Sequence, residues 1–223
     1  MHKAIIEPVG GAAKTATGIE VKMLPVGTGR GLQMLAEGRV PLAAVSDSLE
    51  DSIAAAKKGG LAQVPGNLKL HTMYVEKLVP ILHPDNPVKA LTRDQLRGLL
   101  TGKISNWKEL GGTDAAVTVV VPAPGSGTRG AIDKMILDGQ PVGDSVKVLR
   151  TATAELAEVA RDRNAVGIVG DGAASSMGGK VKEIAGPDVS RPLGFVTVGD
   201  PTPEVAKLLG WLKTPEAQKL FIK

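Results

Sequence analysis

Two short segments rich in glycine and hydroxyl residues carry groups that could hold an anion. Each falls between a predicted strand and a predicted helix. Glycines let the backbone approach a ligand, hydroxyls add hydrogen-bond donors, and a helix start carries partial positive charge. One such segment is equally well explained as a tight turn, but two in one chain favour an oxyanion site. The candidate residues are Gly27, Thr28, Gly29 and Arg30 in the first segment and Gly125, Ser126, Gly127, Thr128 and Arg129 in the second.

A third candidate is acidic. Ser46 and Asp47, followed by Ser48, come directly after an apolar strand predicted over residues 40–45. One interpretation is that this segment only caps the next helix. The other is that Asp47 accepts a hydrogen bond from a protonated ligand. The sequence leaves both open, so Ser46 and Asp47 are candidate ligand-binding residues.

Other kinds of site are disfavoured. Residues 125–130 satisfy the dinucleotide pattern GxGxxG, but residues 122–124 (PAP) separate it from the strand, and Arg150 follows the next strand where an acidic residue is expected. No Walker lysine follows either glycine segment. The chain has no cysteine and three scattered histidines, so we expect no metal and no cofactor. No nucleophile, base and orienting group form a set, so an enzyme is not expected.

Composition limits the partners. The chain has 223 residues with 27 Lys+Arg against 23 Asp+Glu, a net charge of +4, and 2% aromatic residues. It therefore lacks the strong basic field and the stacking platforms of nucleic-acid-binding proteins, and we expect no nucleic-acid partner. The first residues show no signal-peptide pattern, which leaves a cytosolic chain or a mature exported one.

Strand, loop and helix alternate along the chain, which is typical of an open α/β sheet. The length allows one large domain or two lobes. We predict strands at residues 19–24, 40–45, 77–83, 116–121, 146–149, 165–169 and 192–198. We predict helices at residues 31–38, 50–58, 92–100 with Thr92 as N-cap, 129–137, 152–161 and, as one or two helices, 203–221.

Several segments, taken in order, closely resemble the phosphate-type substrate-binding proteins of bacterial ABC transporters. The resemblance covers nearly the whole chain and is more specific than any single motif. The segments are residues 85–88 (DNPV), 91–92 (LT), 95–96 (QL), 102–112 (GKISNWKELGG), 125–128 (GSGT), 190–193 (SRPL) and 214–218 (TPEAQ).

This resemblance implies a type II periplasmic-binding fold, with two α/β lobes that close on a dehydrated oxyanion in an interlobe cleft. Residues 1–73 with 195–223 would form lobe 1 and residues 74–194 lobe 2, joined by crossover strands near residues 75–82 and 192–198. The implied function is capture of phosphate or a related tetrahedral oxyanion for ABC-type transport. The implied protein is a monomer, periplasmic or extracellular, with or without a membrane anchor, whose partner is a membrane permease.

The resemblance also assigns residues. Thr28 matches the hydroxyl donor of the first lobe and Asp47 the acidic acceptor, while Ser126, Gly127 and Thr128 match the donor cluster of the second lobe. Asp47 would then discriminate between anions, because protonated phosphate can donate to a carboxylate whereas ionised sulfate is repelled.

Two departures from the family pattern leave other functions open. Many relatives carry an arginine four residues before the serine, often with an acidic residue between them, but Pro122 and Pro124 stand here. Arg129 and Arg30 are the candidates to replace that charge. Relatives also begin with a strand and a donor loop, whereas this chain starts in the following helix, around residues 5–15. The alternatives are a divergent protein that binds another small organic anion, or a sensor or interaction module with a vestigial site.

Overall fold

The computed structural model describes residues 7–24 and 26–221. Within these residues, helices and strands alternate, which confirms the predicted α/β class. The helices are α1 Glu7–Thr17, α2 Thr28–Ala36, α3 Leu49–Lys58, α4 Arg93–Leu100, α5 Gly127–Met135, α6 Ala152–Arg161, α7 Pro203–Leu212 and α8 Pro215–Gln218. The strands are β1 Ala43–Val45, β2 Leu68–Leu82, β3 Thr118–Pro122, β4 Lys147–Leu149, β5 Ala165–Gly170, β6 Lys182–Glu183 and β7 Ser190–Val198.

The chain divides into two compact units. The first contains Met1–Val75 and Arg191–Lys223, and the second contains Glu76–Ser190. The long strand β2 passes from the first unit into the second, and β7 begins where the chain returns. The chain crosses between the units at 75/76 and 190/191. The lobes predicted from the sequence have these crossings at 73/74 and 194/195.

In the first unit, β7 lies between β1 and β2. β1 pairs with β7 in antiparallel register, with Val45 opposite Gly194. Glycine is required at position 194 because a Cβ there would lie 2.5 Å from the carbonyl oxygen of His71 on β2. Phe195 and Leu193 of β7 pack with α1 and α7, while α2 and α3 cover the apolar face that includes β1. Burial on both faces of β7 therefore holds the helices of this unit to the sheet.

In the second unit, the strand order is β2, β5, β3, β4, with β6 beside β2. β2 is antiparallel to β5, but β3 is parallel to both β5 and β4. The largest fully buried side chain, Trp107, fills the core, and its indole Nε1 donates to the carbonyl oxygen of Asn164 at 2.9 Å. Because β3, β4 and β5 run in the same direction, their carboxyl ends lie at one edge of the sheet.

Several predicted boundaries change. The strand predicted at residues 19–24 is wrong: Ile19, Val21 and Met23 pack on the core and their neighbours are exposed, but the segment joins no sheet. Residue 25, which follows that segment, and residues 5–6 of the predicted first helix lie outside the described residues. The helix predicted at 31–38 begins earlier, at Thr28, and the one predicted at 129–137 begins at Gly127. None of the helices in the described part of the chain is both long and apolar enough to cross a membrane.

Candidate anion-binding site

The second unit presents the start of α5 as a donor group. Gly125, with a φ of 87°, turns the chain after β3, and Ser126 becomes the N-cap residue of α5. The Ser126 hydroxyl accepts a hydrogen bond from the backbone N–H of Arg129 at 3.1 Å. Gly127 and Thr128 form the first turn, where helix geometry supplies no intrahelical acceptor for the backbone N–H groups. The predicted segment 125–128 is therefore built as a helix start that can donate to an anion.

This helix start lies at the carboxyl edge of the parallel strands. The backbone N–H of Ala123 donates to the carbonyl oxygen of Leu149 at 2.8 Å, which fastens the β3–α5 loop to the end of β4. On the other side of β3, β5 ends at Gly170. The backbone N–H of Asp171 donates to the carbonyl oxygen of Lys77 at 2.8 Å, and the backbone N–H of Lys77 donates to the Asp171 carboxylate at 3.0 Å. Ligands of α/β sheets bind at this edge, because loops from adjacent parallel strands converge there.

Arg129 does not replace the missing arginine in this structure. Its Nε donates to the Asp133 carboxylate at 2.6 Å, and its Nη1 donates to the carbonyl oxygen of Pro122 at 3.4 Å. Only 11% of the side chain is exposed. Its charge is thus neutralised by a residue one helical turn away on α5.

The first unit presents a second helix start. Gly27, with a φ of 79°, precedes Thr28 at the beginning of α2, and among the described residues no side chain caps this helix. A Cβ at Gly29 would lie 2.9 Å from the carbonyl oxygen of Ala55 on α3, so only glycine allows α2 and α3 to approach this closely. Arg30 lies along α2, where its Nη1 donates to Gln33 at 2.6 Å and lies 3.9 Å from Glu37.

The acidic segment lies between β1 and α3. Ser48, not Asp47, is the N-cap residue of α3, and its hydroxyl accepts from the backbone N–H of Asp51 at 3.1 Å. The capping interpretation therefore applies to Ser48. Ser46 and half-buried Asp47 precede the cap, and α3 packs against α2, whose start carries Thr28. The candidate residues of the first unit thus belong to neighbouring elements.

One buried acid in the second unit was not predicted from the sequence. Glu155, in α6, is 1% exposed, and its Oε2 has no hydrogen-bond partner among the described residues. Burial raises the pKa of Glu155 to about 8. Leu156 and Val159 are the other buried residues of α6, and nothing local in the sequence shows that a carboxyl is buried beside them. No cluster of His, Cys, Asp or Glu within residues 7–24 and 26–221 could hold a metal ion.

The chain matches a known protein family over almost its whole length. A family model described as the PBP superfamily domain matches residues 2–216. The phosphate-binding protein PstS of Bacillus subtilis is 34% identical over 127 residues, which are 57% of this chain. The aligned part covers 40% of that protein, so the chain spans well under two thirds of this relative.

Solved structures share the fold over nearly the full chain. A Clostridium perfringens protein described as a phosphate ABC transporter substrate-binding protein, with bound phosphate, has a TM-score of 0.82 and 24% identity. The match covers 98% of this chain and 92% of that one. An ABC-type phosphate transport receptor from Vibrio cholerae has a TM-score of 0.71 and 25% identity, with 96% and 90% covered.

Proposed function

This chain belongs to the PBP superfamily, and we propose that it is a solute-binding protein that captures phosphate or a related tetrahedral oxyanion for ABC-type transport. The family predicted from the sequence segments is confirmed. The function is transferred from similar proteins: the Bacillus subtilis relative is a phosphate-binding protein, and the Clostridium perfringens structure holds phosphate.

The start of α5 is the observation that carries this proposal. Its backbone N–H groups, with the hydroxyls of Ser126 and Thr128, give several donors within one helical turn. Gly125 and Gly127 leave the backbone of this loop accessible to a ligand, because glycine has no side chain. Donors of this kind bind an anion without a high net charge on the protein, which agrees with the modest charge of +4.

We propose ligand-binding groups in each unit. In the first unit they are Thr28 and the start of α2, and in the second unit the start of α5. Asp47 would accept a hydrogen bond from the protonated form of the ligand, which favours phosphate over sulfate. The neighbouring first-segment residues Gly27, Gly29 and Arg30, with Ser46 beside Asp47 and Arg129 in α5, would support these groups rather than carry the chemistry.

The remaining parts of the proposal concern the cellular setting. A protein with this function acts outside the cytoplasmic membrane, as a monomer that delivers its ligand to a membrane permease. It needs no cofactor and performs no chemical step on the ligand, so we propose that it is not an enzyme. Binding alone would be its task, and affinity for the ligand its measurable property.

Isothermal titration calorimetry with phosphate, sulfate, molybdate and tungstate tests the function. We expect heat with phosphate and a much weaker response to sulfate. Ser126→Ala should weaken phosphate binding about tenfold or more, since it removes a hydroxyl at the helix start. Thr202→Ala is the matched control, because Thr202 caps α7 in the same way but carries no proposed ligand contact. Absence of heat with all four anions would contradict the proposal.

A thermal-shift screen then separates the alternatives. A ligand at 100 times its dissociation constant stabilises a protein by about 2.7 kcal/mol, which is readily detected. A shift with organic anions but not with phosphate would replace the oxyanion by another small anion. A chain that no small molecule stabilises would instead fit an interaction module.

A further inference from the structure

The two arginines nearest the helix starts already have partners. Arg129 is held by Asp133 and by the carbonyl oxygen of Pro122, and Arg30 by Gln33 and Glu37. Recruiting either guanidinium to a ligand would break an existing ion pair, with little net gain in charge. A doubly charged anion therefore needs its positive charge from another residue.

The register of the parallel strands identifies that residue. Val121 of β3 lies beside Val148 of β4, and Pro122 lies beside Leu149. The strands end together, so the next residue on β4's side is Arg150, at the same edge of the sheet as the β3–α5 loop. The hydrogen bond from Ala123 to Leu149 holds the loop against the position just before Arg150.

The backbone continues this connection to the helix start. The N–H of Ser126 donates to the carbonyl oxygen of Ala123 at 3.2 Å, so the cap residue of α5 and the residue preceding Arg150 are both bonded to Ala123. A long arginine side chain at such an edge can reach over the adjacent loop. All of these residues belong to the second unit.

Arg150 also lies where a cation is electrostatically unfavourable. It directly precedes Thr151, the N-cap residue of α6, and the positive ends of α5 and α6 both lie at this edge of the sheet. Helix N-termini favour negative groups and oppose positive ones. Arg150 is exposed, and within residues 7–24 and 26–221 its side chain makes no ion pair or hydrogen bond. An anion bound at this edge would satisfy both the guanidinium and the helix ends.

We propose that Arg150 is a ligand-binding residue that supplies the positive charge of the anion site, next to Ser126, Gly127 and Thr128. The guanidinium suits this role because its planar array of donors can bind two oxygens of a tetrahedral anion at once. This inference rests on the proposed function and adds to it the residue that balances the charge of a doubly charged anion.

Calorimetry with inorganic phosphate tests the role on the full chain. Arg150→Gln should weaken phosphate binding at least about tenfold, and Arg150→Lys should fall between the wild type and Arg150→Gln, because lysine keeps the charge but not the planar donor pair. Arg161→Gln is the matched control: Arg161 lies at the far end of α6, pairs with Glu158, and should leave phosphate affinity unchanged. Salt should also weaken wild-type binding more steeply than binding by Arg150→Gln.

A measurement on the unaltered chain makes the test independent of folding in the variants. In NMR spectra, the Arg150 Nε–H resonance should shift on addition of phosphate, while that of Arg161 should not. If phosphate binds with equal affinity to the wild type and to Arg150→Gln, or leaves the Arg150 resonance unmoved, the role of Arg150 is refuted and the proposed function stands. If the wild type binds no oxyanion at all, both are refuted.

Discussion

Glu155→Gln should flatten the dependence of the protein's free energy of unfolding on pH. Glu155 is buried in α6 with an unpartnered Oε2, and burial raises its pKa from 4.5 to about 8. Between these values the folded protein keeps a proton that the unfolded chain releases. The contribution of Glu155 to the free energy of unfolding is therefore fully present below pH 4.5. It decreases as the pH rises from 4.5 through 8 and is lost above that.

The size of the effect follows from the same two values. Each pH unit between the unfolded and folded pKa lowers the free energy of unfolding by about 1.4 kcal/mol, so the loss between pH 4.5 and pH 7 is about 3 kcal/mol. Glutamine has nearly the same shape and cannot ionise. The wild type and Glu155→Gln should therefore diverge by this order of magnitude as pH rises, whatever constant offset the buried amide introduces.

Urea unfolding at several pH values, followed by tryptophan fluorescence, measures this difference. Trp107 lies in the same unit as Glu155, and a Trp211→Phe background makes it the sole tryptophan of the chain. Glu158→Gln is the control with the opposite sign. Hydrogen bonds and charges from Lys147 and Arg161 lower the pKa of Glu158, so its contribution is lost as pH falls. Parallel pH curves for the wild type and Glu155→Gln would refute the reasoning.

Gly29, Asp47 and Thr92 are the sites of three further predictions. In urea unfolding, Gly29→Ala should cost about 1–3 kcal/mol of unfolding free energy, because the added Cβ forces α2 away from α3. Gly31→Ala is the control and should be neutral or stabilising, because its Cβ would lie 3.9 Å from that of Ala43. Asp47→Asn should reduce the preference for phosphate over sulfate in calorimetry, and unchanged selectivity would remove Asp47 from the site. Thr92→Ala should cost about 1 kcal/mol by removing the capping box of α4; no loss on chemical unfolding would show that the cap contributes nothing.

Elements set by local chemistry could be predicted from the sequence. Residues 152–161 form α6 with the predicted bounds, and Thr92 caps α4 as expected. In both cases the cap, the acidic first turn and the apolar period lie within one short segment. The start of α5 was also recognisable, because glycine and hydroxyl residues follow a strongly β-branched run.

Elements that depend on distant partners could not be predicted as well. The start of α2 looked like a loop because it contains three glycines, but Gly29 is a helix residue that allows close packing on α3. β2 begins at Leu68, nine residues before its predicted start, because the first unit supplies a partner strand for that part. Residues 19–24 alternate in burial without joining a sheet, since alternation records a buried side and not a pairing partner.

The candidate site shows the same division between local and distant information. Arg129 was predicted as a candidate to replace the missing arginine, but Asp133 is four residues on, and such pairs meet on a helix. Arg30 and Gln33 are related in the same way at three residues. The position of Arg150 was not readable, because it depends on the parallel register of β3 and β4. Local spacing thus shows which cations have a partner on their own helix. The pairing of β3 with β4 is needed to show that Arg150, which has no partner among the described residues, lies at the helix starts.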